Sequence, residues 1–267
     1  MFQAKRGRTV SSTLFTVDNE IATLTFNRPE ARNALTWEMY DALAHACERV
    51  DLDRAIHVFV IKGTGGAFAA GTDISQFSTL STREDAVAYE RKLDGVIDRL
   101  EKVHVATIAQ VDGVAAGGGC AIALACDLRV CTPAAKFGVP IARTLGNCLS
   151  ATNYTRILEL IGPARLKDLM FTGRLIEATE AQSFGLVTRM ADPSTIDVVV
   201  AELATTIASN APLTIRATKE AVRRILQARR PGQETIDDLI ATCYMSDDFK
   251  NAVSAFLEKK SPTFTGR

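Results

Sequence analysis

The chain has 267 residues, 47% of them hydrophobic, enough to bury one sizeable core, and its 31 basic residues balance its 31 acidic ones. That balance excludes a global field able to draw in nucleic acid or an anionic membrane surface, so any anionic ligand must be held locally. No run approaches the roughly 20 apolar residues that span a bilayer, and MFQAKRGRTVSS lacks the apolar centre of a signal peptide, so a cytoplasmic location without a membrane partner is expected. The 6 cysteines lie in apolar surroundings without a CxxC pair and read as reduced, mostly buried thiols rather than a disulfide framework or zinc site.

In chain order, TLFTVDNEIATLTFN (13–27) reads as two β-branched and aromatic runs around a turn at Asp18-Asn19, a hairpin signal. Thr36 stands as an N-cap before the apolar-periodic stretch from Trp37 to Val50, and VFVIKG (58–63) is a short buried strand closed by glycines. Ser81 with Glu84 predicts a capping box opening a long helix to about Val103, followed by a strand in VATIAQVDG. AAGGGCAIALA predicts a small-residue helix, and CDLRVCT and AAKFGV predict two strands. Strands alternating with helices argue an α/β fold with a largely parallel sheet.

Beyond Ser150 the pattern is helical, with only LVTRM (186–190) reading as a strand. Helices are expected over 152–161, 164–172, 178–184, 194–209, 213–228, 235–244 and 247–259, with breaks at Gly162-Pro163, Asn210-Ala211-Pro212 and Pro231-Gly232. No linker or fixed-period repeat separates the two parts, so a core over 1–197 and a helical region over 198–267 share a boundary.

Two glycine-rich segments carry the chemistry. AFAAGTDI (67–74) follows a strand, and in VDGVAAGGGCAIALACD (111–127) glycines join a strand to a helix. Gly117 to Gly119 allow close backbone approach, and the helix beyond them presents free N–H groups, a ready anion site. Plain helix-against-strand packing also calls for small residues there. The spacing is not GxGxxG, and no GxxxxGK[ST] loop occurs. His45, His57 and His104 lie away from both segments, and no GxSxG elbow or acidic cluster beside a histidine supports a hydrolase triad or a metal site.

Together with NRPEARNAL (27–35), CDLRV, AAKFGVP, TGRLIEATEAQSFGLVTRM and FLEKKSPTFTGR, these segments resemble the ordered motif series of the crotonase superfamily, the enoyl-CoA hydratase/isomerase family. The similarity spans nearly the whole chain. It implies a crotonase-like β-β-α spiral core with a helical C-terminal part, assembled as a homotrimer or hexamer, with an acyl-CoA thioester as substrate. Coenzyme A enters as part of that substrate, with no tightly bound cofactor and no metal. In this family two backbone amides hold the thioester carbonyl and stabilise the enolate that forms; carried over, they belong to Thr72 and Gly118. Such a donor is worth roughly 3–4 kcal/mol in a dry site. The resemblance also lays Arg28, Ala31 and Arg32 along the adenine and phosphate end of coenzyme A, with Ala70, Asp73 and Ile74 beside the hole. Lys219 and Lys259 are candidates for phosphate contacts, or else solvated helix faces.

Family hydratases use two glutamates, and here both are missing. The first position, directly after GGGC, is Ala121; the second, after FGxP, is Ile141, or Ala142 if IARTLG is aligned backward from Gly146. A third carboxylate position, used by related dehalogenases and ring isomerases, falls on Ser150. Since a positioned acid–base group contributes roughly 10²–10⁴-fold, ordinary hydration is expected to be weak. Asp73 is expected to cap the helix after it, and Asp73 and Cys148 are the first groups to test as proton carriers. Arg143 is the candidate to hold a substrate carboxylate. The leading expectation is an acyl-CoA enzyme working through an enolate, nominally a hydratase/isomerase. A decarboxylase or other lyase and a catalytically silent acyl-CoA-binding homologue are the alternatives.

Overall fold

The computed structural model describes residues 11–267. Strands β1 (Thr13–Asp18) and β2 (Ile21–Phe26) form the expected hairpin, with Asn19 at φ 52 in the turn. Helix α1 (Trp37–Leu52) starts at Thr36, whose side chain accepts from Met39 N–H as an N-cap should. Strands β3 (Val58–Gly63) and β4 (Ala67–Ala69) precede the long helix α2 (Arg83–Glu101). The cap of α2 differs from expectation: Thr82 and Asp85 form the capping box, one residue later than Ser81 and Glu84. Ser81 instead donates from both N–H and Oγ to the Asp85 carboxylate, which reinforces the same turn. The helix ends at Glu101, short of Val103.

Next come β5 (Ala106–Val111), β6 (Val114–Ala116), α3 (Gly118–Ala125), β7 (Leu128–Cys131), β8 (Lys136–Gly138) and the short α4 (Ile141–Thr144). Helix α5 (Ala151–Thr172) bends at Gly162, whose φ of 76 is non-helical, where Gly162-Pro163 predicts a break. Beyond it lie β9 (Ile176–Glu177), α6 (Ala178–Ser183), β10 (Arg189–Met190), α7 (Ile196–Ala208), α8 (Pro212–Gln227), α9 (Asp237–Met245) and α10 (Asp247–Leu257). Of LVTRM only Arg189-Met190 pairs as a strand, parallel to β7, because Leu186 and Val187 turn inward to the core instead.

The strands form two sheets, ordered β1-β2-β3-β5-β7-β10 and β4-β6-β8-β9. All ladders of the larger sheet are parallel except the β1-β2 hairpin. A parallel sheet is covered on both faces, and the alternation along β3 shows how. Phe59 and Ile61 join the main core with Leu43 and Val50 of α1 and Ile97 and Leu100 of α2. Val58 and Val60 face the other way, onto Ile196, Val200 and Leu203 of α7. The division expected between residues 197 and 198 corresponds to the first turn of α7, a helix that packs on the larger sheet. Arg129, buried on β7, donates to the Ala123, Cys126 and Leu186 carbonyls and so ties the end of α3 to the chain entering β10. α3 and the glycines before it are thereby fixed in place. Among the described residues no group of three or more His, Cys, Asp or Glu is placed to hold a metal ion.

Candidate active site

The two glycine segments meet because of the smaller sheet. β4 and β6 are adjacent and parallel, so both chains leave the sheet at the same edge. Just past that edge Gly71 (φ 114) and Gly117 (φ 50) turn the chains in conformations open to glycine, and a side chain on Gly117 would begin 3.5 Å from the Gly71 Cα. Thr72 and Gly118 follow directly.

Among the described residues neither N–H donates to another group of the protein. Leu35 N–H donates to the Gly71 carbonyl at 2.7 Å and Asp73 N–H donates to the Leu35 carbonyl at 2.9 Å. In such a parallel bridge the residue between, Thr72, points its own N–H away from that ladder. Gly118 is the first residue of α3, and its N–H has no partner inside the helix. Behind both stand hydroxyls: Tyr40 Oη lies 2.8 Å from Thr72 Oγ1, and Tyr89 Oη donates to that oxygen at 3.3 Å. A Cβ on Gly118 would lie 2.1 Å from Tyr40 Oη, so only glycine lets the helix start this close. Burial, above all, pushes both tyrosines up, so they stay protonated donors rather than charges.

Both backbone donors line a cavity of about 480 Å³. Its lining includes Ala31 and the exposed Arg32, the half-buried Ala70, Thr72 and Gly118, and the buried Ile141, Leu145, Leu149, Glu90 and Tyr244. Glu90 on α2 is 2% exposed and accepts from Tyr244 Oη at 2.5 Å and from Ser150 N–H at 3.1 Å. Asn147 Nδ2 donates to Tyr244 Oη at 3.0 Å, while Asn147 Oδ1 is buried without a donor among the described residues. Burial pushes the Glu90 carboxyl up and the charge of Asp94 adds to this; the Tyr244 and Ser150 donors oppose it, and the balance lies at about 8.

A family model for enoyl-CoA hydratase/isomerase matches residues 16–267. The chain belongs to this family. It is 34% identical over 248 residues to a probable enoyl-CoA hydratase from Mycobacterium leprae, covering 92% of this chain and 95% of that one. A short-chain-enoyl-CoA hydratase from Clostridium acetobutylicum is 32% identical over 249 residues, 91% of this chain and 93% of its own. Among solved structures, an enoyl-CoA hydratase/carnithine racemase from Magnetospirillum magneticum aligns with a TM-score of 0.78 at 33% identity over 97% of each chain.

As a member of the enoyl-CoA hydratase/isomerase family, the chain brings together most but not all of its expected site residues. Ala31, Arg32, Ala70, Thr72, Asp73, Ile74 and Gly118 all line the cavity with Ile141. Ala121 faces a separate small hollow with Asn153 and Arg156. Arg28 is not among the residues that line the cavity. Its guanidinium donates to the Ala34 carbonyl at 2.6 Å and to Asp73 Oδ2 at 3.2 Å, and so holds the loop before α1 against the turn that carries Gly71 and Thr72. Asp73 also caps a short 3-10 turn (Ile74–Thr79) through Ser75, as expected. Although burial works against it, the Ser75 and Arg28 bonds hold the Asp73 carboxyl below the usual carboxylate range, which leaves it a poor proton carrier.

Arg143 is exposed on α4, with its Cβ against Gly173, outside the cavity lining. Cys148 is a free thiol buried beside Leu149 and Tyr154, and it is pushed up first by the neighbouring Cys243 thiol and then by burial. Lys219 is held by Asp127 at 2.7 Å and the Val105 carbonyl at 3.0 Å, so its ammonium is already partnered. The residue missed by sequence reasoning is Glu90. Its signal was the apolar stripe of α2 at Ala86, Leu93, Ile97 and Leu100, into which Glu90 falls at i+4 from Ala86 and i−3 from Leu93.

Proposed function

We propose that the protein is an acyl-CoA enzyme in which the thioester oxygen sits between Thr72 N–H and Gly118 N–H, and the reaction passes through an enolate held there. The observation that carries this reading is the convergence of two unpaired backbone donors on one cavity, in a chain of this family. Donors fixed in advance cost nothing to reorient as charge grows on the oxygen, and they strengthen where water is excluded. The acyl chain would lie along Ile141, Leu145 and Leu149, and the exposed Arg32 would face the phosphates of coenzyme A. Water addition in the manner of a two-glutamate hydratase is expected to be slow, because Ala121 and Ile141 carry no proton.

Decarboxylation loses its main support, since Arg143 stands outside the cavity and no lysine or arginine is among the buried residues described as lining it. A homotrimer or hexamer remains our reading of assembly, supported by exposed Leu213, Val222 and Ile225 on α8. Titration calorimetry with butyryl-CoA tests the site: we expect binding, and no detectable heat at millimolar ligand would remove the acyl-CoA reading. A monomer at micromolar concentration in analytical ultracentrifugation would remove the assembly.

A further inference from the structure

Four acidic residues lie along α2 at Glu90, Asp94, Asp98 and Glu101, spaced so that they share one side of the helix. Three are bound into the fold. Arg156 reaches Asp98 and Glu101, Arg230 reaches Glu101, and Asp94 accepts from Ser150 Oγ and Asn153 Nδ2. Glu90 differs in that it lines the cavity shared with Thr72 and Gly118, and its partners are two neutral donors with no ammonium or guanidinium among the described residues. A buried carboxyl without a cation is a cost to the fold, and an apolar side chain here would simply continue the stripe of Ala86, Leu93 and Ile97. Groups kept in cavities against that cost are candidates for chemistry.

Resting on the acyl-CoA reading above, we propose that Glu90 is the acid–base residue of this site, positioned by Tyr244 and carrying one proton between two carbons of a bound enoyl-CoA. With a 3-enoyl thioester the Glu90 carboxylate takes a proton from C2: that C–H bond breaks and an O–H bond forms on Glu90. The C2 electron pair moves into the thioester, and the oxygen of the dienolate rests on the Thr72 and Gly118 N–H groups. The Glu90 O–H bond then breaks, the proton bonds to C4, the double bond settles between C2 and C3, and the carbonyl re-forms. The product is a 2-enoyl thioester and the carboxylate is restored, with no water or co-reactant consumed. One carboxyl suffices for this shift. Water addition needs a base at the water and an acid at C2 together; of the carboxyls that line the cavity among the described residues, Glu30 is exposed and Asp73 is bound to Arg28 and Ser75, which leaves Glu90 as the buried one.

The groups that face Glu90 are Tyr89 and Asp94 from α2, Tyr40 from α1, Tyr244 from α9 and Cys148 ahead of α5. None is a cation. The carboxylate form that begins the reaction therefore dominates above a pH of about 8, and turnover rises toward a plateau there.

The test uses the full chain with 3-hexenoyl-CoA, followed by the absorbance of the conjugated 2-hexenoyl product, with butyryl-CoA affinity measured in parallel. We expect Glu90→Gln to lower turnover by at least about 10²-fold while butyryl-CoA binds as before. Tyr244→Phe removes a donor that favours the carboxylate, so the midpoint of its pH–rate profile moves upward; a residue that only packs would leave it in place. Glu90→Gln at the unmodified rate, an unmoved Tyr244→Phe profile, or a wild type that binds butyryl-CoA without converting 3-hexenoyl-CoA overturns the proposal. Failure of butyryl-CoA to bind the wild type overturns the acyl-CoA reading instead.

Discussion

The two ends of the carboxyl row on α2 are built from the same residue types and behave oppositely. At the far end Arg156 Nη2 lies 2.5 Å from Asp98 and Arg156 Nε 2.7 Å from Glu101, and Arg230 Nη1 adds a contact to Glu101 at 2.8 Å. Burial pushes Glu101 up, but the two arginines outweigh it and hold the carboxyl down at about 2. At the cavity end no arginine arrives. Burial is then opposed only by neutral donors at Glu90, which reaches about 8; at Asp94 burial is opposed by the Ser150 hydrogen bond and then by the charge of Arg156, and the value is about 6. The difference teaches that a helix can carry a structural ion pair and a proton-exchanging group about three turns apart, and that the presence or absence of a guanidinium decides which is which.

The largest effect should come from the hole itself. Gly118→Ala forces Tyr40 Oη and the start of α3 apart, and enoyl-CoA turnover is expected to fall by roughly 10²–10³ with α2 untouched, measured by steady-state kinetics. Turnover near the unmodified level would mean that the cavity end of α2 acts without the amides.

Next, Arg156→Met strips the far end of its cation and leaves Glu101 with Arg230 alone. Urea unfolding should show a loss of about 3 kcal/mol, at the low side for a broken buried pair because Asp98 keeps 28% exposure. A loss below about 1 kcal/mol would place these pairs with ordinary surface ones.

The pH dependence separates the ends further. Glu90 sits above its ordinary value of 4.5 in the folded state, so its contribution to stability is complete in acid and is lost as pH rises from there through about 8. Glu101 sits below 4.5, so its contribution is present at neutral pH and is lost as pH falls through about 2. Compared with the wild type, Glu90→Gln should gain relative stability between pH 5 and pH 9 in urea titrations. A constant difference across that range would mean that Glu90 ionises as it does in the unfolded chain. The smallest effect concerns the start of the helix: Thr82→Ala should cost about 1 kcal/mol, since it removes the acceptor for Asp85 N–H.

Much of this molecule was legible in its sequence. Asp18-Asn19, Thr36 and Gly162-Pro163 have local causes, so the hairpin, the cap and the bend followed without tertiary information, while the choice of Thr72 and Gly118 came from the family resemblance of the two glycine segments. What was not legible depends on partners distant in the chain. Arg28 is spent on Asp73, 45 positions away, and Lys219 on Asp127, 92 positions away; local sequence shows their charge but not its neutralisation. Glu90 was hidden for the same reason. Its meaning comes from Tyr244, 154 positions along, and from a cavity that several elements close together.

The central claim is that the paired amides and Glu90 act on one bound thioester, and proton exchange at C2 reads both at once. Butyryl-CoA incubated with the full chain in D₂O and followed by proton NMR should lose its C2 hydrogens to solvent deuterium. Glu90→Gln should bind the same thioester and leave them in place. Equal exchange by both proteins, or none by a wild type that binds butyryl-CoA, would contradict the account.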